Sequence, residues 1–98
     1  MVQQMTDFSA ALSRQVRIEN EFGLHARAAG KIAGLVKNDA NHAIWIIGNG
    51  NRADASSIID MLTLGCEKGS RVTIAAEDST DIDVLAAIER LVKNGFGE

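Results

Sequence analysis

Two side chains in the stretch Gly23-Leu24-His25-Ala26-Arg27-Ala28-Ala29 could act together on one anion: the imidazole of His25 and the guanidinium of Arg27. They fall where an apolar-alternating segment gives out and a helical one begins. The first N–H groups of a helix have no internal partner, and the helix dipole makes that end positive, so anions are held there. The same setting suits an uncharged imidazole, the nucleophilic form. Arg27 adds a charge matched to phosphate oxygens, with bidentate contact within its repertoire. Together these features describe a histidine able to carry a phosphoryl group. A lone histidine is more often a surface or cap residue, and Arg27 by itself reads equally well as a solvated helix residue.

The elements that must hold this junction follow from periodicity. Arg14 to Asn20 alternates, with Val16 and Ile18 on one face, and predicts a half-buried strand broken by Asn20-Glu21-Phe22-Gly23. From Ala26 to about Lys37, Ala28, Ala29, Ile32, Leu35 and Val36 recur at helical spacing and face a core. Gly30 and Gly34 weaken that helix, which close packing against a sheet would explain. Ala43 to Ile47 predicts a second strand, and Asn49-Gly50 a tight hairpin into a polar edge strand over Arg52 to Ala55. Ser57 and Asp60 resemble a capping box opening a short helix. Arg71 to Ala76 alternates as a fourth strand. After the cap-rich Asp78-Ser79-Thr80-Asp81, a helix with Val84, Leu85, Ile88, Leu91 and Val92 on one face stops at Asn94-Gly95. The order, βαββαβα, predicts an α+β domain: a four-stranded sheet with its helices on one face. Trp45 and Ile47 would then lie on the uncovered face, unless Phe8 and Leu12 fold back over them.

Composition removes several classes of function. The 98 residues make one domain, with 46% hydrophobic and 23% charged residues, as in ordinary soluble globules. A net charge of −3 and four aromatic residues (Phe8, Phe22, Trp45 and Phe96) argue against nucleic-acid binding. No apolar run approaches the ~20 residues of a membrane span, and the start lacks the pattern of a secretory signal. A cytoplasmic location is the expectation, and the single Cys66 suits a reducing compartment. Neither Cys66 nor His42 has neighbours at metal-ligand spacing, so no metal or other cofactor is expected. Gly48-x-Gly50 is a turn rather than a dinucleotide fingerprint. No serine has the surroundings of a catalytic triad.

The motif around His25 resembles the active-site signature of the HPr family, the histidine-containing phosphocarriers of the bacterial phosphoenolpyruvate-dependent sugar phosphotransferase system. Ala55-Ser56-Ser57-Ile58-Ile59-Asp60-Met61-Leu62-Thr63-Leu64-Gly65, followed by Lys68-Gly69, resembles the family's regulatory-serine helix and its turn. The resemblance covers residues 14–93 and implies an open-faced β-sandwich, with an antiparallel sheet and three helices on one face. It divides the chain into an N-terminal extension, residues 1–13, and an HPr-like domain, residues 14–98. It implies that His25 takes a phosphoryl group on Nδ1 from enzyme I, with Arg27 neutralising its charge, and passes it to an enzyme IIA. It also implies that Ala26, Ile58 and Ile59 form a docking patch, and that Ser57 is a site for an HPr kinase/phosphorylase or simply a helix cap. Such a protein is a monomeric carrier rather than an enzyme, contacting neither nucleic acid nor membrane. Ala28 stands where the family usually has proline, which puts the rigidity or capping of the junction in question. Two alternatives stay open. One is a nitrogen-related carrier or regulatory module of the same fold, which the Asn94-Gly95-Phe96 tail resembles. The other is a small hydrolase using His25 covalently, against which stands the lack of an evident general acid or base beside it.

Overall fold

The computed structural model describes residues 12–98 of the chain. Strand β1 (Ser13–Arg17) leads into helix α1 (Ala26–Asp39), then the hairpin of β2 (Ile44–Gly48) and β3 (Asn51–Asp54). A short helix α2 (Ile58–Leu62), strand β4 (Arg71–Ala76) and helix α3 (Ile82–Lys93) complete the order. The sheet is four-stranded and antiparallel, ordered β1-β4-β2-β3, so the polar hairpin strand is an edge as expected.

One face of the sheet carries Val16, Ile44, Ile46, Ala53, Val72 and Ile74, all buried. Against it lie Ala28, Ala29, Ile32, Ala33 and Val36 from α1, Met61 from α2, and Val84, Leu85, Ile88 and Val92 from α3. Burying such stripes is what stabilises the two layers, at roughly 25 cal/mol per Å² of apolar surface. At the rim of this face, Arg14 reaches Glu89 of α3 at 3.5 Å.

Strand and helix bounds shift where tertiary contacts intervene. β1 stops at Arg17, short of Asn20, because its partner strand runs out: Ile18 pairs instead with the Gly69-Ser70 turn, its N–H donating to Ser70 at 2.8 Å. β3 spans Asn51–Asp54 rather than 52–55. The two-residue turn has positive φ at Asn49 (51°) and Gly50 (81°), so pairing resumes at once, Asn51 opposite Gly48. The capping box at α2 is half formed. Ser57 Oγ accepts the Asp60 N–H at 3.1 Å, but the Asp60 carboxylate turns away to accept the Asp54 N–H at 2.7 Å. Gly30 and Gly34 do not mark close approach to the sheet. A Cβ on Gly30 would meet Ile58 Cδ1 at 3.7 Å, and one on Gly34 would meet nothing within 4 Å.

On the far face, Trp45 and Ile47 are half-buried. The Arg52 guanidinium lies over the Trp45 ring at 4.3 Å, and the indole N–H donates to Glu77 at 2.8 Å. Of the suggested cover, Phe8 falls outside the described residues, while Leu12, just before β1, is half-buried.

Candidate functional site

His25 is the N-cap of α1: its backbone is extended, and its Nδ1 accepts the Arg27 N–H at 3.3 Å. The junction is thus capped by the imidazole itself, with Ala28 buried in the first turn. The chain reaches this point through a tightly held loop. Leu24 donates its N–H to Cys66 at 3.0 Å, and His25 donates its own to Gly23 at 3.0 Å. Gly23 has φ of +67°, and a Cβ there would come within 2.6 Å of the Cys66 carbonyl, so only glycine fits.

The ring's other nitrogen, Nε2, is hydrogen-bonded to the carboxylate of Glu98. A general acid or base was not evident beside His25 in the sequence; the fold supplies a carboxyl group from 73 residues away. After α3 the chain turns back, with positive φ at Gly95 (64°), Phe96 (58°) and Gly97 (76°). Phe96 is wholly buried and anchors the turn, and the Lys31 ammonium of α1 donates to its carbonyl. Asn20 completes the arrangement. Its Nδ2 donates to the Gly23 carbonyl at 2.8 Å and to Glu98 Oε1 at 2.9 Å, so one buried amide holds both the loop before His25 and the carboxylate on its ring.

Charge follows from these contacts. The Asn20 amide above all, then the imidazole and the Arg27 guanidinium, hold the Glu98 carboxyl below the usual carboxylate range against partial loss of solvent. Arg27 is exposed, and its guanidinium makes no hydrogen bond among the described residues. The imidazole remains accessible, with a quarter of its side-chain surface open. Phe22 meets it edge-on, ring centroids 6.1 Å apart.

Several large apolar side chains are left exposed, Phe22 beside the histidine among them. Phe22 and Ile59 are 76% and 74% exposed, with Ile58 and Leu62 also open. Ala26 is exposed at the first turn of α1, and Ile58 approaches that helix one turn further on, opposite Gly30. Ser57 is half-exposed at the start of α2, its hydroxyl engaged as the helix cap. The structure therefore leaves Ala26, Ile58 and Ile59 exposed, with Ile58 against α1, and leaves Phe22 and Leu62 exposed as well. Phe22, Asn20, Lys31 and Glu98 were not singled out from the sequence. Only the exposed aromatic two residues before Leu24 offered any signal.

The other histidine belongs elsewhere. His42 lies 3.7 Å from Asp78 and 3.9 Å from Asp81, neighbours brought by folding rather than by spacing. Among the described residues no group of three or more His, Cys, Asp or Glu side chains is arranged to hold a metal ion, and no helix is long and apolar enough to cross a membrane.

A half-buried but accessible histidine thus caps the first helix of an open-faced sandwich with strand order β1-β4-β2-β3. The family model described as "PTS HPr component phosphorylation site" matches residues 12–94, and the chain belongs to the HPr family of phosphocarrier proteins. It is 34% identical over 87 residues to phosphocarrier protein HPr of Cupriavidus necator, covering 89% of this chain and 97% of that one. To phosphocarrier protein NPr of Klebsiella oxytoca it is 33% identical over the same length and with the same coverage. Among solved structures, HPr-C-His of Thermoanaerobacter tengcongensis superposes with a TM-score of 0.80 at 28% identity, over 88% of this chain and 96% of that one.

Proposed function

We propose that this protein is the phosphoryl carrier of a sugar phosphotransferase relay. His25 accepts the group on Nδ1 from enzyme I, itself charged by phosphoenolpyruvate, and passes it to an enzyme IIA. The observation that carries this reading is the placement of Nδ1 at the N-terminus of α1, on an accessible ring. When Nδ1 takes up phosphorus it gives up the Arg27 N–H, and that freed amide becomes a donor for a phosphoryl oxygen. The exposed Arg27 guanidinium neutralises the incoming charge, as in-line transfer requires. Capture stays moderate because the site is open, so the group can leave again.

Ala26, Ile58 and Ile59, joined by Phe22 and Leu62, form the surface on which donor and acceptor dock in turn. Ser57 lies at the edge of this surface, and a phosphate placed there by an HPr kinase/phosphorylase would set a dianion against an apolar interface and weaken docking. On this reading the protein is a monomer without turnover of its own. It works in the cytoplasm, which the unpaired Cys66 thiol suits, and residues 1–13 extend a carrier domain of residues 14–98. A second reading, service in nitrogen-related regulation, has a specific basis: relatives named NPr are as similar as relatives named HPr.

Incubation with enzyme I and labelled phosphoenolpyruvate tests the proposal. The expected product carries acid-labile, alkali-stable label that His25→Ala lacks. Label persisting on His25→Ala defeats the assignment, and catalytic release of free phosphate without an acceptor favours a hydrolase. Competition between sugar-type and nitrogen-type acceptors for the loaded protein decides the branch.

A further inference from the structure

The contact between Glu98 and His25 is more than a tail fastening, because of where it falls on the ring. A neutral imidazole has one protonated and one lone-pair nitrogen, and a partner at one nitrogen decides the role of the other. The carboxylate accepts at Nε2, so the proton belongs there. The Arg27 N–H points at Nδ1, so the lone pair belongs there. Both contacts select the same tautomer, but they differ in strength. The Arg27 contact is long, at 3.3 Å, and must be broken when Nδ1 reacts, whereas the one at Nε2 survives the reaction. The carboxylate is also not free to wander: Asn20 grips its other oxygen, and the buried Phe96 with its Lys31 contact sets the path of the chain.

We propose that Glu98 is a positioning residue for phosphoryl transfer: it keeps the proton on Nε2 of His25, presents Nδ1 as the nucleophile, and faces the charge the ring acquires. The proposal rests on the carrier reading. In the step, the Nδ1 lone pair forms a bond to phosphorus while the phosphorus–nitrogen bond of a phosphohistidine donor breaks, its electron pair returning to the donor's ring. The Nε2 proton stays in place. His25 becomes an N-phosphorylated imidazolium, and the Glu98 carboxylate lies against its positive side. Onward transfer reverses this, the ring leaving as neutral imidazole with its proton still on Nε2. No proton need enter or leave the site in either direction.

The test uses ¹⁵N-histidine-labelled full-length protein and the variants Glu98→Ala and Glu98→Gln, in solution alkaline enough that the ring is neutral. In the wild type the two His25 nitrogens should resonate far apart, as one protonated and one lone-pair nitrogen. Glu98→Ala should draw them together as the two tautomers mix, and slow loading from enzyme I by about three- to tenfold. Glu98→Gln keeps an acceptor oxygen but no charge; it should hold the resonances apart yet still slow loading. Unchanged ¹⁵N positions in Glu98→Ala overturn the proposal, whatever the loading rate. Wild-type protein that shows the tautomer effect but takes no phosphoryl group overturns the carrier reading and leaves the positioning role standing. Because Glu98 also accepts from the buried Asn20, urea unfolding of each variant accompanies the ¹⁵N spectra and separates a loss of fold from a change at the ring.

Discussion

The wholly buried Asp81 accepts the backbone N–H of Asn41 through Oδ1 at 2.8 Å, stitching the start of α3 to the loop that follows α1. Its second oxygen accepts the His42 N–H, also at 2.8 Å. The sequence places Asp81 among cap residues, yet it makes no cap hydrogen bond to its own helix. Asp81→Ala leaves two backbone donors without an acceptor and is expected to cost about 2–4 kcal/mol. Asp81→Asn, which keeps one acceptor oxygen, should cost less. Urea unfolding of the two variants checks the order.

Glycines divide into those that geometry requires and those it does not. Gly34→Ala is expected to stabilise by about 0.5–1 kcal/mol, since nothing lies within 4 Å of the new methyl. Gly30→Ala should be neutral to stabilising, with ordinary contact to Ile58. Gly23→Ala should destabilise by at least about 2 kcal/mol, from positive φ and the clash with the Cys66 carbonyl. Thermal unfolding separates the three, and a stabilising Gly23→Ala would contradict the loop geometry.

Acid should release the tail from the imidazole. The folded Glu98 carboxyl titrates below its ordinary value of 4.5, chiefly because of Asn20. A depressed carboxyl contributes stability that is full above the unfolded value and lost as pH falls through the folded one. Resonances of Phe96 and Gly97 followed from neutral pH downward should therefore hold steady and then move together only once the pH has fallen below the ordinary carboxyl value of 4.5. Movement confined to higher pH would contradict this.

Trp45 reports on the far face of the sheet. Arg52→Ala removes the cation stacked at 4.3 Å and opens the ring to water. Emission should shift to longer wavelength, with a loss of about 0.5–1 kcal/mol of stability.

Burial pushes the Cys66 thiol up from its ordinary range, so it stays protonated at neutral pH. Alkylation should be slow in the native protein and fast in urea. Rapid native alkylation would place the thiol at the surface rather than against Gly48.

Much of this fold was legible because its signals are local. The stripe through Ala28, Ile32 and Val36 marks α1, and Asn49-Gly50 marks the hairpin, since each depends on backbone preferences within a few residues. The place of His25 and Arg27 at the start of α1 was legible for the same reason, and so was Ser57 as a cap. Illegible features depend on distant partners. Nothing near Glu98 announces that it returns 73 residues to His25, and nothing near Asn20 announces two acceptors so far apart in the chain. The Asp60 carboxylate follows the same rule: spacing pairs it with Ser57, but the backbone of Asp54 lies closer in the fold.

The tail also has a practical bearing on handling the protein. A bulky label attached at position 98 would sit directly beside the imidazole and crowd any visiting domain. Assays on such material would report the appendage as much as the protein.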